Sequence, residues 1–209
     1  MAHLRFTKRR MSIDNGTPAL RQSTGSTVLP QDAGGVLLPL ARAAIAGELG
    51  TPLSAREDAD WLHSTAASFV TLMQQDQLRG CIGTLEAHRA LIADVKANAV
   101  AAAFRDPRFK PLTKHEFETI RVEVSVLSAV ARASFRDEDD ALAQLRPGID
   151  GVIFEYGHHR STFLPQVWEN FSDPRVFFGY LKRKAGLPPD FWDPAVKLSR
   201  YTVSKWSEQ

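Results

Sequence analysis

The chain has 209 residues, of which 44% are hydrophobic, and its formal net charge is +2. These totals fit one ordinary domain with a real core, and no apolar run approaches the roughly 20 residues that span a bilayer. We expect no secretory signal, because the basic start lacks an apolar middle. One cysteine excludes an internal disulfide and a Cys-x-x-Cys metal or redox pair. It fits a reducing, cytoplasmic location.

The positive charge is concentrated at the start of the chain. Residues 1–35 carry five basic and two acidic residues, so the rest of the chain is nearly neutral. We predict a flexible basic leader over 1–35, followed by one folded domain over 36–206. A near-neutral domain gives no nucleic-acid signal. RNA binding through the leader is an alternative to the simpler interpretation, which is a solvated segment.

The elements of the first half follow from periodicity and from helix-end signals. An apolar three-and-four spacing predicts a helix from Val36 to Gly50. The spacing of Ser54 and Glu57 fits a capping box and predicts a short second helix. Two β-rich runs, ASFVTLM and LRGCIGTLE, flank the polar tip QQDQ and predict a hairpin. The run ALIADVKANAVAAAFRD predicts a strong helix that Pro107 ends.

The second half begins with another capping-box pattern, formed by Thr113 and Glu116. RVEVSVLSAV predicts the clearest strand, with valines on one face and Arg121, Glu123 and Ser125 on the other. Four more runs predict a short helix, a hairpin, a helix and a last strand: DEDDALAQL, GVIFEY with STFLPQVW, RVFFGYLKRKAG and LSRYTVSKW. Because helices and strands do not alternate one for one, we predict an α+β fold, with a mostly antiparallel sheet and flanking helices.

The stretch QLRGCIGT holds the single cysteine. On a regular strand Arg79 and Cys81 project to the same face, about 7 Å apart. The guanidinium would then favour the nucleophilic thiolate. Gly80 and Gly83 carry no side chains, so a ligand or another backbone can approach closely. The alternative is a buried and inert cysteine beside glycines that form a bulge.

Glu123 is the third candidate catalytic residue, because it lies on the polar face of a valine-rich strand. If that strand neighbours QLRGCIGT, Glu123 could pair with Arg79 or act as an acid or base. The alternative is a plain cross-strand ion pair or an exposed carboxylate. None of the histidines has a spacing that specifies a base for the thiol. No Cys/His set has metal spacing, and no phosphate or dinucleotide motif is present, so we predict no metal and no cofactor.

Three further residues are candidate ligand contacts. Asp106, Arg108 and Gln166 lie in proline-bearing connections, and such connections can form the walls of a cleft. Asp106 could equally cap the preceding helix or the turn after it. The sequence does not identify the small ligand that such a cleft would take.

Five segments together resemble the AMMECR family. They are FVTLMQQDQLRGCIGTLE, NAVAAAFRDPRFKPL, VEVSVLS, TFLPQVWENF and LKRKAGLPPDFW. The segments fall in the family's order over about residues 36–206, and LRGCIG is its hallmark. The ending RYTVSKWSE is similar to the bacterial branch, the AmmeMemoRadiSam system protein A type. The resemblance implies an α+β fold with a larger and a smaller lobe, and LRGCIG at the cleft between them.

The resemblance also implies a functional context, namely a Memo-type protein and a radical-SAM protein as partners. We therefore expect an enzyme, or an enzyme subunit, in which Cys81, Arg79 and Glu123 act within a modification pathway. The alternative is a non-catalytic module that binds the Memo-type partner. Eukaryotic relatives often have a second cysteine where Lys182 lies here, which argues against a two-cysteine mechanism. The resemblance supplies no established reaction.

Overall fold

The computed structural model describes residues 29–171 and 173–209, so most of the predicted leader lies outside the described residues. The α-helices are α1 (Gly34–Glu48), α2 (Leu91–Phe104), α3 (Lys114–Phe117), α4 (Glu138–Ala143) and α5 (Pro174–Lys184). The strands are β1 (Ser68–Gln74), β2 (Gln77–Gly83), β3 (Arg121–Leu127), β4 (Ala131–Arg132), β5 (Gly151–Tyr156), β6 (His159–Phe163), β7 (Lys197–Tyr201) and β8 (Val203–Ser207). Within the described residues, no helix combines the length and apolarity needed to cross a membrane.

The strands form two four-stranded antiparallel sheets, which confirms the predicted α+β fold. The first sheet has the order β2-β1-β3-β8, and the second has the order β4-β7-β5-β6. The first sheet packs on α1 and α2 around the larger hydrophobic cluster, and the second packs on α4 and α5 around a smaller one. Each sheet therefore has its own core, as in a two-lobed molecule.

The first lobe is built on the predicted hairpin of β1 and β2. Its turn residues Gln75 and Asp76 have φ angles of 51° and 60°. Two successive positive φ values are typical of the hairpin turn whose twist matches that of the flanking strands. Val122, Val124 and Val126 are buried against the helices. The predicted alternation of β3 is confirmed, and its polar positions lie on the opposite face.

The second lobe differs from the prediction at the end of its hairpin. Strand β6 stops at Phe163, and a 3-10 helix over Pro165–Asn170 follows. The predicted strand STFLPQVW was too long, because a proline has no N–H for the sheet ladder. Trp168 from this 3-10 helix stacks on Phe177 of α5, with ring centres 3.6 Å apart, so the turn seals the core of the second lobe.

Two other sequence predictions are wrong. The short helix predicted in SAREDADWLHS is present as a 3-10 helix over Asp60–His63, but the capping box of Ser54 and Glu57 does not form, and Glu57 instead pairs with Lys96 of α2 at 2.6 Å. The last predicted strand is two strands, β7 and β8, which belong to different sheets. The chain crosses between the lobes at Thr202, whose carbonyl accepts from the backbone N–H of Ser128 at 2.9 Å. Ser128 follows β3, where the chain leaves the first sheet for β4 of the second. The two places where the chain crosses between the lobes therefore lie side by side.

Candidate functional site

Cys81 lies on β2, the edge strand of the first sheet, and its backbone is held from outside the sheet. Its N–H donates to Oδ2 of Asp106 at 2.9 Å, and its carbonyl accepts from Nη2 of Arg108 at 3.1 Å. Strand β1 occupies the other side of β2. The Asp106 and Arg108 side chains therefore bond this edge as a neighbouring strand would. These two predicted contacts lie next to the hallmark cysteine, although they follow it by 25 and 27 residues.

Asp106 and Arg108, which bond the backbone of Cys81, also form an ion pair with each other. Nε of Arg108 donates to Oδ1 of Asp106 at 2.9 Å, and Nη2 donates to Oδ2 at 2.7 Å. This two-pronged bond is the strong form of an arginine–carboxylate contact. The Arg108 guanidinium, helped by the Cys81 amide, holds the pKa of Asp106 well below its usual range despite opposing desolvation. Asp106 is therefore ionised and is a permanent acceptor for the strand edge.

The thiol of Cys81 is half-buried, and it is bonded by a hydroxyl. Thr71 lies opposite Cys81 on β1, and its Oγ1 donates to the sulfur at 3.3 Å. The contact is a weak one, because sulfur is a poor acceptor.

Arg79 has other partners than those predicted. The pairing of β1 with β2 shifts by one residue beyond Leu72, so Arg79 is the extra residue of a bulge. A bulge breaks the regular alternation of side chains, and the same-face prediction depended on that alternation. Nε of Arg79 donates to Glu116 at 2.9 Å, and Nη2 donates to the carbonyl of Lys110 at 3.0 Å. This bond to Arg79 lowers the pKa of Glu116 to about 2.

Glu123 does share a face with Cys81, but it pairs with a lysine. Strand register places Cys81, Thr71, Glu123 and Ser207 in one row across the four strands. Two strand spacings of about 4.8 Å separate the backbones of Cys81 and Glu123. Oε2 of Glu123 lies 2.6 Å from Nζ of Lys205, and Oε1 accepts from Ser207 at 3.1 Å. The predicted pair of Glu123 and Arg79 is not formed, and the cross-strand ion pair is.

This row lies on the face of the first sheet that is turned away from α1 and α2, which we call the open face. Its half-buried members are Phe69, Thr71, Met73, Cys81, Glu123 and Ser125. The face is mixed in character, with an aromatic ring and a thioether beside hydroxyls and a carboxylate.

The remaining predicted contacts have different surroundings. A Cβ on Gly80 would lie 2.2 Å from the carbonyl oxygen of Ala102 on α2, and one on Gly83 would lie 2.2 Å from the ring of Phe69. Both glycines thus allow close packing within the protein, and a ligand role for them stays a prediction. Gln166 is exposed on the 3-10 helix of the second lobe.

A cleft of about 310 Å³ lies between the lobes. The first lobe contributes the loop from Leu85 to Ala87, which directly follows QLRGCIGT, and the second lobe contributes Ile153, Glu155 and Arg160. A neighbouring cavity of about 280 Å³ shares Leu85, Ile153 and Arg160 with it. The resemblance placed LRGCIG at the cleft. None of residues 78–83 lines this cleft or the neighbouring cavity; the first lobe contributes residues on either side of the hallmark, 65–67 and 85–87, together with 126–127.

A buried polar cluster, which the sequence analysis missed, supports this loop. Asp94 of α2 is fully buried, and side chains from four residues donate to its carboxylate. The donors are Ser68 at 2.6 Å, Thr84 at 2.8 Å, Arg89 at 2.7 Å and Asn98 at 2.9 Å. The sequence did carry a signal for this cluster. Asp94 and Asn98 are polar residues four apart in an alanine-rich helix, and residues at that spacing share a face.

Comparison with known proteins agrees with this geometry. The family model AMMECR1 matches residues 38–206. Protein MJ0810 of Methanocaldococcus jannaschii is 39% identical over 134 residues, which cover 63% of this chain and 67% of that protein. A protein of Methanothermobacter thermautotrophicus is 36% identical over 185 residues, covering 86% and 96%. The crystal structure of the uncharacterized protein PH0010 from Pyrococcus horikoshii superposes with a TM-score of 0.73 and 32% identity, covering 87% of this chain and 94% of that one. The chain belongs to the AMMECR1 family.

Proposed function

We propose that this chain is a non-catalytic subunit that binds a Memo-type partner protein through the open face of the first sheet. The observation that carries the proposal is that the candidate catalytic groups already have structural partners. Arg79 is bonded to Glu116, and Glu123 is bonded to Lys205. A general base needs a free acceptor within reach of the proton that it removes, and an engaged carboxylate is poorly suited to that task.

The wider context of the proposal rests on the family resemblance. It implies a modification pathway in which we place the chemistry on the Memo-type protein and a radical-SAM protein. The open face supports a contact role because it presents apolar and polar groups together. Met73 flanks the row of Cys81, Thr71 and Glu123 on one side, and Phe69, which also packs against a cluster that includes second-lobe residues, flanks it on the other. A rigid sheet face needs little ordering when it binds, which lowers the entropic cost of association.

The test is co-purification with the Memo-type protein encoded in the same genome. Thr71→Lys places a long cation at the centre of the open face, and we expect it to abolish binding. The variant should fold, because Glu123 lies directly opposite on β3 and opposite charges across a strand pair are stabilising. Cys81→Ser and the remote control Lys114→Gln should both retain the partner. Unchanged binding by a folded Thr71→Lys variant would sink the proposal.

A second candidate function is catalysis by Cys81. Two observations favour it: the sulfur accepts a hydrogen bond from Thr71, and Nη1 of Arg79 is buried without a hydrogen-bond partner within the described residues. The measurement is the alkylation rate of Cys81 across the pH range, native against denatured. A native midpoint well below the ~8.5 of a free thiol would favour the enzyme. Labelling that requires denaturation would exclude the nucleophile.

A third candidate, RNA binding, concerns the basic leader over 1–35. Contacts to phosphates give an affinity that falls steeply with salt. Deletion of the leader should then remove a salt-dependent affinity for RNA. An affinity that is unchanged by salt or by the deletion would exclude this role.

A further inference from the structure

The smaller cavity between the lobes has an unusual distribution of charge. The cavity has a volume of about 280 Å³. Six described residues line it: Leu85, Ile153, Arg160, Ser161, Thr162 and Lys184. Two of them are cations, two carry hydroxyls, two are apolar, and none of the six is a carboxylate. An apolar pocket with a few convergent polar groups is the usual form of a small-molecule site.

Lys184 is a cation whose ammonium donates one hydrogen bond within the protein. Its Nζ donates to the carbonyl of Thr162 at 3.0 Å and lies 5.0 Å from the ring centre of Phe163. Within the described part of the chain, no carboxylate lies within ion-pair distance of this ammonium. An ammonium has three donors, so two of them are free to bind a ligand in the cavity.

Arg160 is the second cation, and a carboxylate from the first lobe forms an ion pair with it. Its guanidinium pairs with Glu155 of the neighbouring strand at 3.3 Å, and also with Glu86 of the first lobe. The side chain of Glu86 is 65% exposed, and exposed ion pairs contribute only about 0–1 kcal/mol. A ligand anion that enters the cavity can therefore replace Glu86 on Arg160 at little cost.

We propose that this cavity binds an organic phosphate with an apolar group, held by Arg160 and Lys184. The arginine fork suits phosphate oxygens and the lysine supplies a point charge, while Glu155 keeps its contact with Nε of Arg160. The apolar group lies against Leu85 and Ile153, which also line the larger cleft and so leave room for a longer ligand. Glu86 is the internal competitor, and it leaves Arg160 when the ligand binds.

The competition has a measurable consequence. When an internal group occupies a ligand's site part of the time, the apparent affinity equals the intrinsic affinity multiplied by the fraction of molecules in which the site is free. Glu86→Gln removes the competing charge and keeps the size of the side chain. We expect it to strengthen phosphate binding about two- to fivefold, as the release of one exposed ion pair allows. A purely structural role for Glu86 would leave this affinity unchanged.

The test is calorimetric titration of the full chain with hexyl phosphate, inorganic phosphate and hexanol. Hexyl phosphate should bind, inorganic phosphate should bind more weakly, and hexanol should not bind. Arg160→Gln and Lys184→Gln should each weaken hexyl phosphate about tenfold, the scale of a charged hydrogen bond, while the control Lys114→Gln should not. Both side chains are exposed enough for the variants to fold, which the thermal midpoint checks.

Two results would overturn the proposal. One is the absence of binding by hexyl phosphate at millimolar concentration, or binding that the double variant Arg160→Gln, Lys184→Gln retains. The other is equal affinity for inorganic phosphate and hexyl phosphate, because the apolar part of the cavity would then contribute nothing. Neither result bears on partner binding, which is tested at Thr71, a residue that lines neither cavity.

Discussion

Asp106 accepts the backbone N–H of Cys81 at 2.9 Å, across the outer edge of β2. This bond joins two segments of the family pattern, LRGCIG and DPRF, into one structural unit. Exposed strand edges tend to pair with other chains, and natural proteins protect them. Because Arg108 also binds the Cys81 carbonyl, the pair covers this edge at the hallmark cysteine. The DPRF element therefore stabilises the strand that presents the thiol.

Asp106→Ala should lower the free energy of unfolding by about 2–4 kcal/mol. The side chain is almost fully buried, and its loss leaves the Cys81 N–H and the Arg108 guanidinium without their acceptor. Asp106→Asn should cost less, because its amide oxygen can still accept one bond. Urea unfolding measures both, and the exposed Asp58→Ala is the control. An Asp106→Ala variant as stable as this control would show that the contact of Asp106 and Arg108 with the Cys81 backbone contributes nothing to stability.

Asp94→Asn should destabilise the protein by about 3 kcal/mol. The variant keeps the shape of the side chain but loses the charge that Arg89 binds, and its amide donors face the donors of Ser68 and Asn98. Removing one partner from a buried charged network is costly. Hydrogen exchange over residues 84–90 should also accelerate, since Thr84 anchors this loop to Asp94. Exchange that accelerates uniformly over the chain would argue against a local anchoring role.

The ion pair of Glu116 and Arg79 predicts a pH dependence. The bond from Arg79 lowers the pKa of Glu116 to about 2, while an unfolded glutamate has a pKa of about 4.3. The carboxylate therefore stabilises the folded state above about pH 5, and this contribution disappears as the pH falls towards about 2. Glu116→Gln should be about 1 kcal/mol less stable at neutral pH, and the difference should vanish only below about pH 2. Unfolding midpoints measured against pH test this, and a constant difference would contradict it.

Lys182 and Glu138 form a buried pair that a double-mutant cycle can measure. Lys182 is 1% exposed, and its Nζ lies 2.6 Å from Glu138 and 4.7 Å from the ring centre of Phe178. Lys182→Met should cost about 1–3 kcal/mol, because Glu138 loses its cation. Adding Glu138→Gln should recover most of this loss, since no charge is then left unpaired. Strictly additive losses in urea unfolding would show that the two residues are not coupled.

Several elements could be predicted from the sequence because their causes are local. The capping box of Thr113 and Glu116 forms as predicted, with both reciprocal bonds present. The hairpin of β1 and β2 follows from two β-rich runs around a polar turn, and α2 follows from its apolar spacing. The failed capping pattern at Ser54 involves a distant contact instead, because Glu57 pairs with Lys96, 39 residues along the chain.

By itself the sequence determined the fold class, the order of the elements, the alternation of β3 and the family resemblance. All of these depend on residue types at short spacing, where periodicity and turn chemistry act. Only the tertiary structure decided that Arg79 meets Glu116, that Asp106 meets Cys81, and that the last run divides between two sheets at Thr202. These are contacts between distant segments. They depend on a bulge, on the pairing of strands and on which surfaces the two lobes bury, and no spacing along the chain encodes them.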